Sequence, residues 1–311
     1  MSLKLTILGC HSATPRVNAH PTAQFLEIKN HHFLIDCGEG TQVQLRKYGV
    51  KFSKIKHIFI SHLHGDHFYG LVGLISTFRL LNREAELHIY GPNGLKEIIT
   101  LQLKLSNSWT QYPLLFHELN ATESELVFED ATVEVHTIPL DHRIYTNGFL
   151  FKEKLGERKL NAKAIAKFKE IEICDYQNLK NGRDFILQNG QVLKNEMLTF
   201  DPALPLSYAF CSDTAYYPEI VPLIKNATCL YHEATFLKDK EALCVTTKHS
   251  TAAQAAQIAQ LANVNQLIIG HYSGRYQNKE DFKIEAQAFF ENTHLSLEGK
   301  VFEINNTLID Y

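Results

Sequence analysis

The 311-residue sequence lacks any run of eighteen or more apolar side chains, so no segment is expected to cross a membrane as a helix. It also shows no charged, then apolar, then small-residue leader. Met1-Ser2-Leu3-Lys4-Leu5-Thr6-Ile7-Leu8 goes straight into an alternating strand pattern, and the reading is an unexported, cytoplasmic protein. The six cysteines (Cys10, Cys37, Cys174, Cys211, Cys229, Cys244) form no C-x-x-C pair. Four of them lie in or beside strand-like runs, where a thiol packs as a small hydrophobe, and reduced thiols are expected. An excess of positive charge is missing as well. The net charge is −3, so contact with nucleic acid would need a local patch. Low-complexity tracts and short-period repeats are absent too.

What is there is apolar material for a large core, 45% of the residues. Strand-type runs fall at Lys4–Leu8, Ala23–Ile28, Phe33–Asp36, His57–Ser61, Glu86–Tyr90, Thr132–Ile138, Ser207–Ser212, Thr228–Glu233 and Gln266–Gly270. Helical spacing separates them: Phe68, Leu71, Val72, Ile75 and Phe78 in one segment, Ala253, Ala256, Ile258, Ala259 and Leu261 in another, behind the N-cap candidate Ser250. Alternation of the two patterns predicts a layered α/β fold. The rhythm breaks between Lys152 and Asn195, where Lys152, Lys154, Arg158, Lys159, Lys163, Lys167 and Lys169 crowd ahead of the turn-rich Asn181-Gly182-Arg183 and Gln188-Asn189-Gly190. This reads as an inserted, locally basic excursion.

The strongest chemical signal is His62-Leu63-His64-Gly65-Asp66-His67, directly after the strand at His57 and ahead of a helix expected to start near Phe68. One histidine there would be an ordinary loop residue. Four ligand-type side chains within six residues are costly to desolvate unless a cation sits among them. His142, Asp213 and His271 repeat the arrangement, each just past an apolar strand. Seven ligands at one edge suit two metal ions, with Asp213 able to bridge. Imidazole and carboxylate without thiolate fit zinc best, with manganese or iron also compatible. Such a pair clamps an in-line phosphoryl displacement and suits an anionic phosphodiester.

These residues resemble the metallo-β-lactamase superfamily, which implies a four-layered αβ/βα sandwich, here one hydrolase domain over residues 1–311 with residues 152–195 as an inserted basic arm. Within it, His232-Glu233-Ala234-Thr235-Phe236, Lys248-His249-Ser250-Thr251-Ala252 and His271-Tyr272-Ser273-Gly274-Arg275-Tyr276 look like the signature blocks of the ribonuclease Z family, and Ser212-Asp213-Thr214 and Ala13-Thr14-Pro15 agree. The resemblance implies that His62, His64 and His142 hold one zinc, that Asp66, His67 and His271 hold the other, and that Asp213 bridges. It makes Asp66 and His249 catalytic, Asp66 orienting the attacking water and His249 protonating the departing 3′ oxygen. Glu233 is either a partner of His249 or a satisfied strand-end carboxylate.

The implied activity is removal of the 3′ trailer from precursor tRNA, by a homodimer, leaving a 3′-hydroxyl and a 5′-phosphorylated trailer. A hydrolase of the same fold acting on a small phosphodiester or thioester is the alternative. The basic arm sits where relatives extend a glycine- and proline-rich tRNA grip, yet Leu160–Lys180 contains neither residue.

Overall fold

In the computed structural model, which describes residues 3–306, the chain divides into a main unit and a smaller compact unit spanning Glu153–Pro205. The main unit is built on two seven-stranded sheets. The first runs in the order Val301–Ile304, Leu3–Gly9, Ala23–Ile28, His31–Ile35, His57–Phe59, Leu87–Pro92, Leu114–Leu119, parallel from His31–Ile35 onward. The second runs Thr293–Leu295, Leu267–Gly270, Cys229–Glu233, Ser207–Cys211, Asn147–Glu153, Val133–Pro139, Leu126–Glu129, and its first four strands are parallel.

Period-two patterning decides which side chains meet between the sheets. Phe33 and Phe59 from the first sheet pack on Phe151 from the second with ring centroids 5.3 and 5.2 Å apart, in a core that also takes Phe149, Phe210 and Tyr231. The opposite parity of the first sheet, Leu34, Ile58 and Ile60, faces helix Leu71–Leu80 and helix Leu95–Leu105 through Leu74, Ile75, Phe78, Ile99 and Leu103. Helix Ala252–Leu261 lays Ala255, Ala256, Ile258 and Ala259 on the second sheet. The alanines let its backbone come close, and each fully buried Phe or Leu contributes about 1.5–3 kcal/mol. Helix, sheet, sheet and helix make the αβ/βα sandwich that the sequence led us to expect.

Two local expectations are corrected. The N-cap of helix Ala252–Leu261 is Thr251, not Ser250: the Thr251 side chain accepts from the Gln254 N–H at 3.2 Å, and Gln254 Oε1 accepts from Thr251 N in return. Ser250 Oγ instead donates to Thr214 O at 2.7 Å, tying the loop before the helix to the loop after the strand Ser207–Cys211. Nor does the helix after the strand His57–Phe59 wait for Phe68. Gly65–Phe68 already forms a helical turn, so Asp66 and His67 sit on it, and a second helix starts at Leu71.

The Glu153–Pro205 unit has its own small core of Ile165, Ile171, Leu179, Leu187, Leu193 and Leu198. Two two-stranded pairings and short helices surround it. Over the whole unit nine Lys and Arg face eight Asp and Glu, so the cationic run at its start is nearly balanced further on. Arg158, Lys180 and Lys194 pair with Asp201, Glu157 and Asp184. Lys159, Lys163, Lys167 and Lys169 are exposed and pair with nothing among the described residues.

Five of the six thiols are buried and Cys174 is exposed, none in a disulfide. No described helix is long and apolar enough to cross a membrane.

Candidate metal centre

Each candidate donor lies beyond the carboxyl end of a strand or on the turn that follows; the strands ahead of His62, Asp213 and His271 have parallel neighbours, whereas the one ahead of His142, Val133–Pro139, pairs antiparallel with Leu126–Glu129. Asp213 and His271 take left-handed backbone, φ 39° and 63°, where L side chains are uncommon, and this swings both side chains back over the strand ends. Gly270 must precede His271 without a side chain, because a Cβ there would lie 2.4 Å from both Tyr231 Oη and Ser296 Oγ.

Seven side chains converge as two groups whose donor atoms lie within 4.8 Å of one another: His62, His64, His142 and Asp213 in one, Asp66, His67 and His271 in the other. In the first, His64 Nδ1 is 3.0 Å from His62 Nε2 and 3.2 Å from His142 Nε2. Asp213 Oδ2 lies 3.5 Å from His62 Nε2 and 3.8 Å from His142 Nε2. In the second, Asp66 Oδ2 is 3.4 Å from both His67 Nε2 and His271 Nε2. Asp213 Oδ1 completes that group at 3.3 Å from His67 Nε2 and 3.1 Å from His271 Nε2. One carboxylate thus gives one oxygen to each group.

These atoms fit a metal better than they fit each other. Four of the imidazoles use Nδ1 outward: His62 to Ser61 Oγ at 3.0 Å, His67 to Asp36 Oδ2 at 2.7 Å, His142 to Lys248 O at 2.8 Å and His271 to Thr235 Oγ1 at 2.8 Å. With Nδ1–H donating, each Nε2 presents a lone pair inward, where it meets other lone pairs and carboxylate oxygens. His67 Nε2 is buried without a hydrogen-bond partner. Ligands at about 2.0–2.1 Å around a tetrahedral ion lie ~3.3 Å apart, close to the spacing found.

Electrostatics agree. Burial opposes a positive charge at His67, but the carboxylates of Asp213, Asp66 and Asp36 outweigh it, so the centre favours a cation at this point. Burial likewise opposes ionisation of Asp213, yet His271 and His67 hold its carboxyl well below the usual range.

A second layer orients the donors, and part of it escaped the sequence reading. Asp36, buried and left-handed at φ 55°, accepts from Ser61 N at 2.8 Å and Ser61 Oγ at 2.9 Å besides binding His67. On the other sheet Glu233 accepts from Thr214 N at 3.0 Å, Thr235 N at 2.9 Å and Thr235 Oγ1 at 2.6 Å. In each half a hydroxyl, Ser61 or Thr235, donates to a buried carboxylate while receiving a donor histidine's Nδ1–H.

His249 borders this centre with a different attachment. Its Nδ1 donates to Glu233 Oε1 at 2.7 Å. Burial pushes its imidazolium down, but the Glu233 charge and hydrogen bond outweigh that and raise it to about 9. Asp213, His249 and His271 also bring donor atoms within 4.8 Å, although Glu233 already engages the Nδ1 of His249. Arg143 is the second group not anticipated from the sequence. It is exposed, lines the same cavity as His64, Asp66, Asp213, His249 and His271, and has no hydrogen-bond or ion-pair partner among the described residues.

Fold and site together define a metallo-β-lactamase-fold hydrolase with a divalent-metal centre. A crystal structure of human tRNase Z, short form, superimposes with a TM-score of 0.70 at 26% identity, covering 97% of this chain and 99% of that one. The metallo-β-lactamase fold protein YhfI from Bacillus subtilis superimposes at 0.68 with 16% identity, covering 97% and 99%. Residues 3–196 match the family model described as Anti-Pycsar protein Apyc1, a span that ends before Asp213, Glu233, His249 and His271. Full-length relatives cover those positions. The ribonuclease Z of Bacteroides thetaiotaomicron is 46% identical over 97% of this chain and 96% of its own, and that of Cytophaga hutchinsonii 45% identical over 99% and 98%. The chain belongs to the ribonuclease Z family.

Proposed function

We propose that this protein is the endoribonuclease that removes the 3′ trailer from precursor tRNA. One observation carries the reading beyond family membership: Asp213 turns one oxygen to each of two donor groups, while His249, held by Glu233, stands beside them with its second ring nitrogen uncommitted. His62, His64 and His142 would hold one ion, Asp66, His67 and His271 the other, and Asp213 both; imidazole and carboxylate donors suit zinc, with manganese compatible. When bound, two such ions supply a water activated near neutral pH and an electrostatic clamp on the phosphoryl oxygens.

The chain's own groups do the rest. Asp66 orients the attacking water. Arg143, at the cavity and without an ion-pair partner among the described residues, donates to a phosphate oxygen of the RNA backbone. His249 hands its proton to the departing 3′ oxygen, and Glu233 keeps the imidazole charged and aimed. The products are a tRNA 3′-hydroxyl and a trailer with a 5′-phosphate. Lys159, Lys163, Lys167 and Lys169 of the Glu153–Pro205 unit offer backbone phosphates a second foothold, making that unit the tRNA-binding arm.

A cytoplasmic location accords with six unpaired thiols, and a homodimeric state rests on the family alone. The test is a comparison of purified protein on precursor tRNA and on a chromogenic phosphodiester. Trailer removal supports the reading, whereas hydrolysis of the small ester with the RNA left intact would transfer it to the small-substrate hydrolase.

A further inference from the structure

His249 lines two cavities. One is lined by His64, Asp66, Asp213 and His271 of the donor groups and by Arg143. The other, about 480 Å³, is bordered by Ala215, Tyr216, Val245 and Lys248 as well as His249, so the imidazole forms part of the wall between them. We infer that this second cavity seats the nucleoside on the 5′ side of the cut, with its base stacked on Tyr216. The inference rests on the phosphodiesterase reading above and gives it a direction along the RNA.

The leaving group fixes where that nucleoside lies. The oxygen that His249 protonates is the 3′ oxygen of that nucleoside, and proton transfer needs it about 2.6–3.2 Å from the imidazole. The ribose is one bond further, so the nucleoside must occupy space bordering His249. The scissile phosphate takes up the first cavity; a cavity on the Asp66 side does not reach His249, whereas the second is bordered by it, and its size is in the range of small-molecule sites.

Its lining suits a base. Tyr216 is 37% and Val245 75% exposed, large apolar groups beside a charged centre, and the Tyr216 ring stacks on no other ring among the described residues. Lys248 Nζ is already paired with Asp141 Oδ2 at 2.7 Å, and the other charged group on the lining, the exposed carboxylate of Glu241, accepts from Gln254 Nε2 at 3.4 Å, so no free cation stands here to hold a phosphate. Recognition here is by an aromatic face, which tolerates every base.

The test is a double cycle of kcat/KM on precursor tRNA, comparing native protein and Tyr216→Ala, each on a substrate with an intact or an abasic nucleotide 5′ of the cut. Metal content and unfolding midpoint check that the variants are folded. Stacking of this kind predicts a loss of about 5- to 150-fold from Tyr216→Ala on the intact substrate, carried mainly by KM, a similar loss from the abasic substrate alone, and little further loss on combining them. Tyr216→Phe should restore native values, and the four bases should differ little. Multiplicative losses, no loss from Tyr216→Ala, or no recovery in Tyr216→Phe would each overturn the inference while leaving trailer removal intact. Failure of the native protein to cut the intact substrate would instead remove the reading on which it stands.

Discussion

Glu233 and His249 are joined by a 2.7 Å hydrogen bond, and the same carboxylate reaches His271 through the Thr235 hydroxyl, 2.6 Å from Glu233 and 2.8 Å from His271 Nδ1. A single buried carboxylate therefore positions both the candidate acid and one candidate metal ligand. His249→Ala should keep its metal and its tRNA affinity while losing about 10²–10⁴ in rate, the usual share of a general acid. Loss of metal from that variant, read by elemental analysis, would move His249 into the metal shell.

Glu233→Gln should act on rate through pH. Glu233 holds His249 protonated up to about pH 9. The protonated form is the active one, so activity is retained below that pH and lost above it. Without the carboxylate charge, the alkaline limb should move down toward the ordinary histidine range near 6.5. A pH–rate profile unchanged in Glu233→Gln would leave Glu233 a purely structural strand-end group.

Asp36→Asn tests the corresponding carboxylate in the other half. It keeps the shape of the side chain but removes the charge facing His67 Nδ1, 2.7 Å away. Outer-layer changes of this kind cost about 10–100-fold in metal affinity or activity. Competition with a chromogenic chelator should show that loss confined to one of two ions, and equal affinity in native protein and variant would contradict the coupling.

For Asp213→Asn the effect should be larger, because both donor groups share that side chain. Native protein should carry about two zinc ions per chain, lose activity to chelators and regain it with zinc or manganese. The variant should fall well below two ions and lose more activity than His249→Ala. Full metal content in inactive Asp213→Asn would rule out the bridging role.

The Glu153–Pro205 unit can be removed cleanly, since Lys152 and Ser207 are register partners on adjacent antiparallel strands and a short turn can join them. With about four lysine–phosphate contacts, log affinity for tRNA should fall against log salt with a slope near −3, at about 0.7–0.9 per contact. Excision should flatten that slope and weaken binding. Equal affinity and slope in the shortened protein would reject the arm.

Much of this architecture could be read from residue order, and the gaps have physical causes. Strands such as Leu267–Gly270 and the Cys229–Tyr231 part of Cys229–Glu233 are buried on both faces, so their apolar runs are unbroken. Leu114–Leu119 lies at a sheet edge with His117 and Glu118 exposed, which hides its pattern. Asn147–Glu153 opens with Asn-Gly, a turn signal; Gly148 is there because a Cβ would lie 2.2 Å from Phe210 O. The donors were legible because metal chemistry restricts residue type and the strand ends gather them. Asp36 was not, because its partner His67 is 31 residues away and nothing local marks the pairing. Arg143 was hidden likewise, as only the folded cavity puts it beside His64 and His249.

The most direct test of the account is to incubate purified, metal-replete protein with a precursor tRNA bearing a 3′ trailer, with and without chelator, and to map both product ends at single-nucleotide resolution. The account predicts one cut at the trailer junction, a tRNA ending in 3′-hydroxyl, a trailer beginning with 5′-phosphate, and no cleavage in chelator until metal is returned. Cleavage that survives chelation, or a tRNA fragment ending in a 3′-phosphate, would contradict it.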